Sequence, residues 1–164
     1  MIPVLLLLGS NIEPENHVPK AREEISAILE SCRFSKTYLT QPVGELDQPP
    51  FWNQAVTGNT AMPLAELQNR LAALELACGR KRDPRRPCGP RTLDIDILLF
   101  GHVVGEFGNL RLPSPLLPRQ AFVIIPAAEL VPQWPHPLLG KTLAQLAQKV
   151  DGSGVTLLPE AKSA

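Results

Sequence analysis

Two aspartates one residue apart, Asp94 and Asp96, follow directly on a stretch crowded with arginines. On a strand, residues i and i+2 share a face, about 7 Å apart along the chain. Their carboxylates could then share a pair of hard cations spaced about 3.5–4 Å apart. Magnesium is held in this way, by one or two carboxylates with phosphate oxygens and water completing the shell. The bland alternative is a solvated polar face on a half-buried strand. Aspartate is disfavoured in strands and two on one face repel, which favours the cation reading.

Between Arg80 and Arg91 the chain carries six cations (Arg80, Lys81, Arg82, Arg85, Arg86 and Arg91) and one anion, Asp83. Arginine forks bind phosphate oxygens in pairs. Gly79, Pro84, Pro87, Gly89 and Pro90 punctuate the stretch as a loop able to close over a ligand and exclude water from it. A plain solvated charge run is the alternative. Glu75 has Leu71 and Gly79 as its helical neighbours four residues away, so it has no ion-pair partner along a helix. It either faces water or serves a site at the helix end. Phe51 and Asn53 share one strand face, with Trp52 on the other. They could stack on and hydrogen-bond a flat heterocycle, or be an ordinary core aromatic with a capping amide. His17, His102 and His136 show no ligand spacing and read as surface or loop residues.

These groups must be placed by a chain of 164 residues, enough for one domain with a sizeable core. The formal net charge is zero, so the basic excess is local. That pattern suits a small anionic partner better than an extended polyanion. Cys32, Cys78 and Cys88 cannot all pair and lack a Cys-x-x-Cys spacing, as expected of reduced thiols. The apolar run at residues 4–8 is too short for a signal peptide or a membrane span. The expectation is a soluble cytoplasmic protein.

That run reads as a buried central strand. Residues 16–31 read as a helix with Pro19 in its first turn, and residues 34–40 as a second strand. Residues 41–50 form a long, proline-rich loop. Residues 51–60 read as a third strand, and a helix starting at Pro63 carries Leu64, Leu67, Leu71, Leu74 and Cys78 on one stripe. Residues 93–100 read as a fourth strand in which Ile95, Ile97 and Leu99 alternate with Asp94, Asp96 and Leu98. Residues 122–125 read as a short further strand, and residues 142–150 as a closing helix. The order β-α-β-β-α-β predicts an α+β, ferredoxin-like fold, an antiparallel sheet with two helices on one face and C-terminal additions. A single domain over residues 1–151 and a frayed tail over 152–164 are expected.

Gly9-Ser10-Asn11, Asp47-Gln48-Pro49 with Asn53, Gly79-Arg80 and Gly89-Pro90-Arg91-Thr92-Leu93-Asp94-Ile95-Asp96 occur in this order between about Val4 and Val131. Together they resemble the 6-hydroxymethyl-7,8-dihydropterin pyrophosphokinase family of folate biosynthesis. The resemblance implies transfer of diphosphate from ATP to the pterin's hydroxymethyl group, with AMP leaving and two Mg2+ ions held by Asp94 and Asp96. It implies catalytic roles for Arg80, Arg82, Arg91, Asp94 and Asp96. It implies ATP contacts from Glu75, Arg80, Arg82, Arg91, Ile97, Leu98, Arg111, Ser114 and Arg119, the leucine and isoleucine beside adenine. For the pterin it implies Thr40, Pro42, Val43, Phe51, Asn53 and a stacking Phe122. The partners implied are these two small molecules, with neither nucleic acid nor membrane, and the chain is expected to be a monomer.

This sequence departs from the family pattern at Ser114, where a histidine is usual, and at Gln120, where an arginine is usual and Arg119 stands one place away. Weakened ATP binding is expected unless Arg119 or Arg111 compensates. A pterin- or nucleotide-binding relative with reduced or diverted catalysis is the second reading. A metal-dependent nucleic-acid protein is the third, disfavoured by the neutral charge and the single, aromatic-poor basic patch.

Overall fold

The computed structural model describes residues 1–80, 85–86 and 89–159. Its elements run β1 (Ile2–Ser10), α1 (Pro14–Ile28), β2 (Glu30–Phe34), β3 (Tyr38–Thr40), β4 (Phe51–Thr60), α2 (Leu64–Ala77) and β5 (Asp94–Phe100). There follow β6 (Gly105–Phe107), β7 (Leu110–Leu112), α3 (Ala121–Leu130), α4 (Leu143–Ala147) and β8 (Val155–Leu157). The main sheet has the order β5-β1-β4-β3-β8, with β2 also on β4, and its pairings are antiparallel. This is the ferredoxin-like arrangement expected from the order of the first elements.

β1 sits between β4 and β5, and its side chains divide by parity. Val4, Leu6 and Leu8 pack under α1 and α2 with Ala21, Ile25, Leu67 and Leu71. Leu5 and Leu7 pack on the opposite side with Val123, Ile124, Ala127 and Leu143 of α3 and α4. The continuous apolar run of β1 therefore reflects burial on both faces. Helices cover both sides of the sheet, where the sequence reading placed two on one side.

Residues 122–125 belong to α3, not to a strand. A short apolar run does not distinguish a buried strand from a buried helix, and Ala121–Leu130 is apolar nearly all round. Pro19 lies beyond the first turn of α1, because Pro14 takes the first position and Pro19 faces outward. The second strand is broken into β2 and β3. At the break the Ser35 hydroxyl accepts from Ala55 N at 2.9 Å, so a side chain replaces a ladder carbonyl. The closing helix is only Leu143–Ala147, started by a reciprocal Thr142–Gln145 capping box. The segment after Asp151 is not wholly frayed: β8 pairs with β3 through Tyr38↔Leu157 and Thr40↔Val155.

A bulge breaks the alternation in β5. Leu5 pairs with Leu99 but Leu6 pairs with Ile97, so Leu98 is the extra residue and both Leu98 and Leu99 join the α3 side. Asp94 and Asp96 precede the bulge and keep their common face. Among the described residues no helix is long and apolar enough to cross a membrane. Cys32 and Cys78 are free thiols, and Cys88 lies outside the described residues.

His136 is in a loop, as expected, but buried, at 4% exposure. Its Nδ1 accepts from the amides of Leu138 and Leu139 at 3.2 and 3.1 Å, and burial lowers its pKa. Protonating Nδ1 would turn this acceptor into a donor facing two donors. The unfolded chain takes up that proton near pH 6.5, before the folded chain does. Stability is therefore complete above about pH 6.5 and is lost as pH falls below it. Thermal melts should show this acid-side slope in the wild type and a shallower one in His136→Asn. The loss should be about 1–3 kcal/mol for two backbone hydrogen bonds.

Candidate active site

The sheet register builds the site as a row. Gly9 of β1 pairs with Asn53 on one side and Asp94 on the other, and Leu7 pairs with Ala55 and Asp96. Two strand spacings place Asn53 and Asp94 about 10 Å apart with a glycine between them. Gly9 leaves the floor of this row open, since a Cβ there would lie 2.9 Å from Asn53 Oδ1.

Over this floor lies a cavity of about 230 Å3 lined by Leu7, Gly9, Thr40, Gln41, Val43, Phe51, Asn53, Arg91, Asp94, Asp96, Leu116, Gln120 and Phe122. Its walls are apolar and aromatic at one end and charged at the other. Asn53 is buried and donates through Nδ2 to Thr40 Oγ1 at 2.6 Å. That bond leaves its carbonyl turned toward Gly9. The Arg91 guanidinium lies 5.5 Å from the Phe51 ring centroid, so the two ends of the cavity touch.

The charged end is a network. Arg80 Nη1 donates to Asp94 Oδ1 at 2.6 Å and to Glu75 Oε2, and Arg91 Nη1 donates to Asp94 Oδ2 at 3.2 Å. Glu75 is buried on the last turn of α2 and also accepts from Ile95 N at 3.0 Å. It thereby holds the amide between the two aspartates on the edge of the sheet. Burial raises the Glu75 pKa, while the Ile95 amide and Arg80 oppose the rise. Burial works against the Arg80 charge, but Asp94 and Glu75 outweigh it and raise its pKa. Asp96 is pushed up to about 8, by burial first and then by the Asp94 carboxylate.

Asn11 ties the surrounding loops together. Its Nδ2 donates to Gln48 Oε1 at 2.8 Å and to Pro49 O at 3.0 Å, and its Oδ1 accepts from Arg91 N at 2.9 Å. Arg86 forks onto Glu45 of the 41–50 loop.

Thr40, Val43, Phe51, Asn53, Arg91, Asp94, Asp96 and Phe122 thus line one cavity. Glu75 and Arg80 stand behind Asp94 and reach the cavity through it. Pro42 is buried between two lining residues. The side chains of Ile97 and Leu98 are committed to the core, at 5% and 0% exposure. Ser114 is buried and donates its amide to Leu98 O at 2.9 Å. Arg111 and Arg119 are exposed and Arg111 faces Glu106 at 3.9 Å. Neither arginine is a lining residue, whereas Gln120 is. Arg82 lies outside the described residues. Leu7, Gln41 and Leu116 were not anticipated as lining. Gly9 had a signal in its position at the end of an apolar strand, but which atoms would crowd it depends on register.

A ferredoxin-like sheet with an acidic pair, Arg91 and an aromatic–amide wall in one cavity, and Arg80 behind the acidic pair, defines a small-molecule enzyme site. Residues 5–132 match the family model described as 7,8-dihydro-6-hydroxymethylpterin-pyrophosphokinase, HPPK, and the chain belongs to this family. It is 36% identical over 161 residues to the 2-amino-4-hydroxy-6-hydroxymethyldihydropteridine pyrophosphokinase of Pseudomonas aeruginosa, covering 96% of this chain and 98% of that one. The Synechocystis protein of the same name is 35% identical over 151 residues, covering 90% and 76%. Among solved structures, wild-type Plasmodium falciparum HPPK-DHPS superposes with a TM-score of 0.69 over 90% of this chain and 44% of that longer one. Its identity is 12%, so that likeness is one of fold.

Proposed function

We propose that this chain transfers diphosphate from ATP to the hydroxymethyl group of 6-hydroxymethyl-7,8-dihydropterin in folate biosynthesis, releasing AMP. The observation that carries this reading is one cavity with an aromatic–amide wall at one end and paired aspartates with Arg91 at the other, in a chain of this family. Phe51 and Phe122 supply ring faces for a pterin, and Asn53, oriented by Thr40, supplies the polar edge. Thr40, Pro42 and Val43 form the backbone wall beside it.

The donor set fits Mg2+. Asp94 and Asp96 offer hard oxygens on one face, and burial together with the Asp94 carboxylate raises the Asp96 pKa. Among the described residues no group of three or more His, Cys, Asp or Glu forms a full cage, and Mg2+ bound with phosphates does not need one. When bound there, Mg2+ would neutralise phosphate charge and orient the diphosphate. Arg80 and Arg91 add positive charge opposite the negative charge of the transferred group, and Arg82 is assigned the same part from the family resemblance alone. The hydroxymethyl oxygen attacks the β-phosphorus, its bond to the α–β bridging oxygen breaks, and the hydroxyl proton passes to solvent. The chain's part is positioning and charge, as in other phosphoryl transfers.

The reading includes small-molecule partners only, a cytoplasmic location, a monomer, and residues 1–151 as the single catalytic domain. It is tested by AMP release from ATP with the pterin and Mg2+. No turnover in the wild type, with Asp94→Asn and Asp96→Asn indistinguishable from it, would overturn the function. The exposed positions of Arg111 and Arg119, with Gln120 on the cavity wall, support weak ATP binding. Calorimetry should show that Gln120→Arg tightens ATP binding roughly tenfold, the worth of one charge-assisted hydrogen bond. Unchanged affinity would reject Gln120 as the weak point.

A further inference from the structure

Both oxygens of Asp94 are already occupied by cations of the chain itself: Oδ1 by Arg80 at 2.6 Å and Oδ2 by Arg91 at 3.2 Å. We propose that Arg80 and Arg91 are stand-ins for a divalent cation at Asp94, and that they leave it for the phosphates when the cation and nucleotide bind. This rests on the proposed function for the identity of the nucleotide, but the competition at Asp94 does not.

Charge-assisted hydrogen bonds to a carboxylate largely excluded from water are strong, and the Asp94 side chain is 16% exposed. A guanidinium within contact distance also repels an incoming dication, and that repulsion is weakly screened in a partly buried site. Asp94 should therefore be a poor cation ligand while both arginines hold it. Finally, each arginine has a second anchor independent of Asp94. Arg80 keeps Glu75, and also Leu93 O at 3.4 Å. Arg91 keeps the Phe51 ring, and its backbone amide keeps Asn11. The Arg91 guanidinium can thus turn off Asp94 without leaving the cavity wall, and the Arg80 guanidinium without leaving Glu75. Phosphates that capture the arginines then favour the cation at Asp94, and the cation favours the phosphates, a coupling that is reciprocal.

The test uses Mn2+ as probe, titrated by paramagnetic resonance into the nucleotide-free, full-length protein. Arg80→Met and Arg91→Met should each tighten Mn2+ binding by about tenfold, because the fraction of Asp94 free to bind rises. Arg86→Met removes a nearby cation that binds Glu45 and should change it by less than about twofold. Asp94→Asn in either background should abolish the gain. With ATP present, the same two arginine variants should bind the Mn2+–ATP complex more weakly than the wild type. Arg91→Met retains the Glu75–Arg80 pair and serves if Arg80→Met destabilises the fold. Mn2+ binding in both arginine variants that matches the wild type, including none in all three, overturns the proposal. Gains equal to that of Arg86→Met would trace the effect to net charge and also overturn it. A wild type that releases no AMP would instead remove the proposed function and leave the Mn2+ comparison readable.

Discussion

Asp96→Asn should melt at a higher temperature than the wild type in metal-free buffer while losing roughly 10²–10³-fold in AMP release. The two effects share one cause. Asp96 sits on the face of β5 that also carries Asp94, and burial and that neighbour push its pKa up to about 8. In the unfolded chain the value is near 3.9. Between these values the folded protein binds more protons than the unfolded one, so Asp96 lowers stability progressively as pH rises from about 4 to about 8. Below about pH 4 both states are protonated and the penalty vanishes. Asparagine is nearly isosteric and carries no charge. It should gain about 1–3 kcal/mol at pH 8, at about 2–4 °C per kcal/mol, and nothing at pH 4. Activity falls because an amide is a poor substitute for a hard anionic oxygen beside a phosphate. Melting curves in EDTA at the two pH values check the stability half. A variant less stable than the wild type at pH 8 would mean that Asp96 is not strained in the free protein.

Gly9→Ala should raise the KM for the pterin by about 10–100-fold and lower the melting temperature by a few degrees, while changing the KM for ATP little. The added Cβ would fall 2.9 Å from Asn53 Oδ1 and 4.0 Å from Asp94 Cβ. The close atom is the tip of a side chain, so Asn53 can turn away without moving the sheet. Turning breaks its bond to Thr40 and removes the amide from the position proposed for the pterin edge. A polar site left mismatched to its ligand loses about 1.5–3 kcal/mol, which sets the expected factor. The added methyl also rises from the cavity floor. Asp94, in ordinary contact distance, need not move. Steady-state kinetics with each substrate varied in turn separates the two ends of the cavity. A rise in the ATP KM equal to that for the pterin would show that Gly9 does not divide them.

Much of this protein was legible in its residue order. The strand at residues 51–60 was read with the limits it has in the fold, because it is long, rich in apolar and β-branched residues and bounded by proline-rich segments. The face shared by Asp94 and Asp96 follows from the two-residue period of any strand. What was misread depended on distant partners. Phe122–Ile125 has strand-like composition, yet it is helical because residues 121–130 must cover the Leu5–Leu7 side of the sheet. Residues 155–157 have little local signal and become β8 only because β3 offers an open edge.

The sequence by itself determined the family, the order of the core elements and the chemical types available to the site. Those depend on local period, turn residues and a specific ordered motif. Only the tertiary structure decided the pairings: Gly9 between Asn53 and Asp94, the bulge at Leu98, Glu75 on the Ile95 amide, and Arg80 and Arg91 on the two oxygens of Asp94. Each of these joins residues from different elements or sets a side-chain direction within a packed turn. Register and packing fix such contacts, and neither is a property of any short stretch of chain.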